Sequence, residues 1–122
     1  MVNSIVLICE DSPFGKNSVV ESIRMAAGIL AVGDIDDCKV VLLKDAVYFL
    51  SKNLNAEALN FNSFDNIMRL IELSDLEIYV HDEALEVRGI EKIDLISDYN
   101  LQIVNMQKIS QLISEADMSF KY

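Results

Sequence analysis

The sequence predicts an α/β fold: one domain over residues 1–122, built on a mostly parallel sheet of about five strands with helices on both faces. Three observations predict it. The chain has 122 residues, which suits a single core. Short continuous apolar runs, SIVLIC at 4–9, KVVLL at 39–43 and LEIYV at 76–80, have the length and β-branching of strands buried on both sides. Helix-periodic stretches separate them, and strands alternating with helices build a parallel sheet covered on both faces.

The elements follow in order. After SIVLIC, the acidic, proline and glycine residues of EDSPFG break the run. From Ser18, Val19, Ile23, Ala26 and Leu30 fall on one helix face, widened by Val20, Ala27 and Ala31, and Gly33 stops the helix. GDIDDC is a loop into KVVLL. KDAVYFLSKNLN is a short helix opening at Asp45, whose carboxylate can cap the first turn, and the polar segment 53–62 is a loop. Asn62 or Ser63 caps a helix carrying Phe64, Ile67, Met68 and Ile71, which Asp75 ends before LEIYV. Asp82 caps a helix of barely two turns stopped by Gly89. DLIS at 94–97 reads as another short strand. A last helix with Met106, Ile109, Leu112, Ile113 and Ala116 on one face leads to a terminal strand, MSFKY.

Ten basic residues against twenty acidic ones give a formal charge of −10, and the pI is near 4.3. Nucleic acid and anionic membranes would repel such a surface. With no apolar run of about 18 residues and no basic-start signal segment, the expectation is a cytoplasmic protein. Cys9 and Cys38 are two free thiols rather than a disulfide framework. Hydrophobic residues make up 52% of the chain, and its mean hydropathy is +0.26, a surplus that points to buried subunit contacts.

In parallel sheets the ligand crevice lies beyond the carboxyl ends of the strands. Three stretches compete for it: residues 9–15, 44–45 and 81–83. The crevice candidates are His81, Cys9, Asp11, Ser12 and Asp82. SPFGKNS at 12–18 is not a P-loop, since Glu10 stands where that motif needs its first glycine and Asn17 where it needs Ser or Thr. Glu10 and Asp11, with Asp82, resemble the acidic cluster of a magnesium-binding receiver domain, but no Lys-Pro closes the pattern. His81 is the chain's one histidine, with no second histidine or CxxC spacing, so no metal site and no cofactor is expected. Cys9 is the best partner for His81 in nucleophilic chemistry, through adjacency of strand ends. Cys38, at the start of its strand, reads as structural.

Taken together, the segments resemble the DsrE/DsrF family of sulfur-relay proteins, most closely its DsrF/TusC branch. The likeness rests on the first strand with Ser12-Pro13-Phe14-Gly15, the helix with Glu21, VVLLKDAVYFL, IYVHDEALEVRGI, and the closing EADMSFKY. The resemblance implies trimers or hexamers, of one chain or with sister DsrE/DsrH-like subunits, and sulfur held as a persulfide on a cysteine heading the short helix that Arg-Gly closes. Counting back eight positions from Gly89 lands on His81, so imidazole stands where active members carry the thiol. Imidazole cannot carry a persulfide. The expectation is therefore a non-catalytic, oligomer-forming subunit, related to sulfurtransferases but lacking their cysteine. A sulfur carrier using Cys9 and a receiver-like magnesium or small-ligand domain are the alternatives.

Overall fold

The computed structural model describes residues 2–12, 18–50, 64–95 and 100–121. Five strands, β1 (Ser4–Cys9), β2 (Asp37–Leu42), β3 (Glu77–His81), β4 (Leu101–Val104) and β5 (Met118–Lys121), form one sheet in the order β4-β3-β2-β1-β5. Every pairing is parallel. The helices are α1 (Ser18–Val32), α2 (Phe64–Ser74), α3 (Asp82–Val87) and α4 (Met106–Glu115), with 3-10 turns at Lys44–Leu50 and Lys92–Asp94.

Strand alternation sorts the apolar residues into two layers. Ile5, Leu7 and Cys9, with Val40, Leu42, Ile78 and Val80, face α1, α2, α3 and the first 3-10 turn; Ile23, Ile71, Leu85 and Phe49 close that layer. Val6, Val41 and Tyr79 face α4 and meet Ile109 and Leu112. The central strands are thus buried on both sides, which is why they read as unbroken apolar runs. The expected fold class is the one found.

Helix ends obey their local chemistry. Gly33 (φ +87°) follows the last residue of α1, and Asp75 takes the same left-handed turn (φ +51°) after α2. Past α3, the Ile90 amide donates to the Leu85 carbonyl (2.9 Å) and the Gly89 amide to that of Glu86 (3.1 Å), the paired bonds of a Schellman turn, with Gly89 at φ +68°. Asn105 caps α4, accepting from the Lys108 amide at 2.9 Å.

Three expectations are corrected. The segment after β2 is a 3-10 turn, tightened because Ala46, Val47 and Phe49 are all buried, with the Ala46 amide bonded to the Leu43 carbonyl at 3.0 Å. Asp45 does not cap it; its carboxylate holds Arg88. The fourth strand is Leu101–Val104, not 94–97: Asp94 belongs to a 3-10 turn, where it exchanges hydrogen bonds with Glu91, and residues 96–97 lie outside the described residues. The cap residue of α3 is His81, with no side-chain bond, while Asp82 is the first helical residue and accepts from the Glu83 amide at 2.6 Å. The caps expected at Asn62 or Ser63, and the SPFGKNS segment apart from Ser12 and Ser18, also lie outside the described residues.

Candidate functional site

The sheet order fixes where a crevice opens. From β3 the chain turns into α3 on one face, and from β4 it turns into α4 on the other. Adjacent strands whose connections leave to opposite faces part at their carboxyl ends, and that parting is where ligands sit in such sheets. The two strands here are β3 and β4. His81 is the last residue of β3 and is in register with Val104, the last of β4. By alternation its side chain projects to the α4 side, in a row with Val104 and Leu43, both half-buried.

The imidazole is 12% exposed, and its Nε2 lies 3.8 Å from the Asp82 carboxylate. That distance is beyond a hydrogen bond, and Nε2 is buried with no hydrogen-bond partner among the described residues. A buried ring nitrogen left unpaired costs about 1–3 kcal/mol.

α3 is held in place by an arginine that sequence reasoning placed only within an Arg-Gly pair. Arg88 Nε and Nη2 donate to Asp45 at 2.9 and 2.8 Å, and Nη1 donates to the Ala84 carbonyl at 3.0 Å. The clamp ties the carboxyl end of α3 to the turn after β2. Asp45 carried the signal, but as an acid ahead of an apolar run it resembled a helix cap.

Cys9 does not join His81. It ends β1, two strands away, about 10 Å at the usual strand spacing. It also faces the opposite layer, fully buried, with its Sγ 2.9 Å from Ser22 Oγ of α1. Ser22 Oγ also donates to the Val19 carbonyl at 2.7 Å, which anchors this buried pair to α1. Burial pushes Cys9 up to about 11, partly opposed by the Ser22 bond and aided by Asp11. Cys38, buried at the amino end of β2, is pushed to about 11 chiefly by burial, with Asp37 adding and Lys39 opposing.

These thiols set an alkaline limit. Each is an acid held neutral by the fold, so the folded chain keeps protons that the unfolded chain releases above its free-thiol value of about 8.5. The stability they confer is complete below about pH 8.5 and is lost as pH rises toward 11. The urea midpoint should fall over that interval, and more steeply in the natural chain than in Cys9→Ala/Cys38→Ala. Equal slopes would refute the assignment.

Glu10 is engaged on both sides. It pairs with Lys44 at 2.7 Å and with Lys121 at 2.8 Å, and the hydrogen bond from Lys121, then that from Lys44, hold its carboxyl below the usual range. Asp11, half-buried, accepts from Ser18 Oγ at 3.0 Å, and Ser12 is half-buried beside it. Among the described residues no three His, Cys, Asp or Glu gather where a metal ion could be held. The magnesium arrangement therefore lacks its carboxylate cluster. His81 and Asp82 come together at the β3–β4 parting, whereas Cys9, Asp11 and Ser12 stand at the end of β1.

The DsrE/DsrF-like family model matches residues 3–121. The chain belongs to that family. The crystal structure of the YchN protein from E. coli superposes on this DsrE/DsrF-like chain with a TM-score of 0.81 at 18% identity, over 98% of this chain and 99% of that one. MTH1491, a protein of unknown function from Methanobacterium thermoautotrophicum, does so at 0.66 and 13% identity over 100% of both. At these identities the likeness is one of fold. A search of the curated proteins finds no match. No described helix of this DsrE/DsrF-like chain is long and apolar enough to cross a membrane.

Proposed function

We propose that this chain serves a sulfur-relay system as a non-catalytic, oligomer-forming subunit of the DsrF/TusC type, with His81 at the position where active relatives carry their thiol. Family membership supports the sulfur-relay context. The observation that carries the non-catalytic reading is the disposition of sulfur. Both thiols are buried and protonated, Cys9 facing the α1 layer and Cys38 at the amino end of the sheet, while the head of α3 holds an imidazole. A persulfide needs an accessible thiolate. His81 then shapes the crevice, offering a ring nitrogen to a hydrogen-bonding group brought by a partner.

Intact-mass spectrometry after incubation with a persulfide donor tests this, with a cysteine-bearing relay protein as the loaded control. The expected result is no added sulfur on the natural chain. Sulfur on Cys9 would restore the carrier reading and end this one.

A further inference from the structure

Strand β4 forms an edge of the sheet, and its outer side offers unused backbone groups. The Ile78 amide donates to the Asn100 carbonyl at 3.0 Å, so residues 100 and 102 turn their backbone groups to β3 in this parallel ladder. Leu101 and Ile103 therefore turn theirs outward, where no backbone partner meets them among the described residues. LQIV carries no charge and no proline, the side chains that usually blunt an edge, whereas β5 at the opposite edge ends in Lys121.

A groove of about 380 Å³ runs beside that edge, between β4 and α3 with the turn that follows it. Its apolar lining is Leu85, Ile90 and Ile103; Ile103 is in register with Val80 and 37% exposed. Its charged lining is Asp82, Glu86 and Glu91 against one base, Lys92. Elsewhere acids are matched within the chain. Lys44 and Lys121 hold Glu10, Arg24 holds Glu21, Lys39 stands between Asp37 and Glu77, and Arg88 is taken by Asp45. Among the described residues no lysine or arginine pairs with Asp82, Glu86 or Glu91.

Edge and groove together select the occupant. An extended segment laid along β4 satisfies the outward amide and carbonyl groups and sends every second side chain over the groove. Charge then sets its composition. An acidic segment is repelled by the three carboxylates and by a chain of net charge −10, while lysine or arginine at alternate positions meets them. Asp82, at one end of the groove, lies 3.8 Å from His81 Nε2, so a segment seated there runs up to the parting of β3 and β4.

We infer that the β4 edge and the groove beside α3 dock an extended, basic segment of a partner protein, paired to β4 as a further strand. The inference goes beyond the proposed function: it names the chemistry of a partner and the surface that receives it, and sulfur loading plays no part in it.

Amide NMR on the full, isotope-labelled chain tests it, with a capped hexapeptide of alternating valine and arginine as the probe. The Leu101 and Ile103 amides should shift saturably and gain hydrogen-exchange protection. The same peptide with its backbone nitrogens methylated keeps its charge but loses its donors, and should bind about tenfold more weakly. A valine–glutamate peptide should leave the spectrum unchanged. Glu86→Gln/Glu91→Gln, which alters exposed side chains only, should weaken the arginine peptide by about threefold or more, and the affinity of the natural chain should fall as salt rises. No saturable shift, shifts that spare Leu101 and Ile103, equal binding of the methylated or the glutamate peptide, or indifference to Glu86→Gln/Glu91→Gln overturns the inference. Persulfide uptake enters none of these measurements, so the two readings fail separately.

Discussion

The His81→Cys variant should take up sulfur from a persulfide donor, and the natural chain should not. The substitution puts a thiol at the head of α3, where the first turn leaves amide groups without helical partners and the helix end favours negative charge by about 0.3–1 kcal/mol. Exchanging an imidazole for a smaller side chain at a residue 12% exposed also opens a way to the sulfur. One feature of this chain works against full activation. Asp82 and Glu83 fill the first turn, and Asp82 already takes the Glu83 amide. Two carboxylates beside a thiol disfavour the thiolate. His81→Cys/Asp82→Asn should therefore load faster than His81→Cys alone. A well-folded His81→Cys protein that gains no sulfur, beside a control that does, would remove the basis for treating His81 as the relay position.

Phe49→Ala should lose about 3–5 kcal/mol of stability. Phe49 is fully buried in the 3-10 turn after β2, a turn that touches both β3 and the short helix that follows His81. Its removal leaves a void that a tight turn cannot close by collapsing, and the loss is a large part of the 5–15 kcal/mol or so that a domain of this kind holds. The urea midpoint should drop with an unchanged slope, and Phe49→Leu should drop less. Because α3 rests on this turn and is clamped to it through Arg88 and Asp45, the amides of α3 should also lose hydrogen-exchange protection. A midpoint shift worth under about 1 kcal/mol would show that Phe49 does not support the layer beneath α3.

The strands and helices that were legible from the chain are those with one dominant local cause. SIVLIC, KVVLL and LEIYV are buried on both faces, so their apolar runs are unbroken. Gly33 and Gly89 both sit at left-handed φ, where glycine is the natural stop. LQIV was not legible: β4 is an edge strand of four residues, two of them exposed, and an edge strand need not be apolar throughout. DLIS had the better composition, but Asp94 is taken by its exchange with Glu91.

The candidate site divides in the same way. That a histidine heads a short helix at the end of a strand follows from HDEALEVRG alone, because the helix stop counts back to it. That Cys9 is no partner for it required the sheet: strand order puts two strand spacings between them, and alternation turns the two side chains to opposite layers. Both lie at carboxyl ends, the one fact a linear reading supplies. Asp45 likewise reads as a cap until Arg88, 43 residues later, is folded against it.

By itself the sequence determined the alternation of buried strands and helices, the helix stops, the acidic surplus and the histidine ahead of the short helix, because each is read from composition or from residues within a turn or two of one another. Only the tertiary structure decided which strands are neighbours, and with that the parting of β3 and β4 at their carboxyl ends, the burial of both thiols and the pairing of Glu10 with two lysines. Those depend on contacts between residues far apart in the chain, whose partners are chosen by packing rather than by local preference.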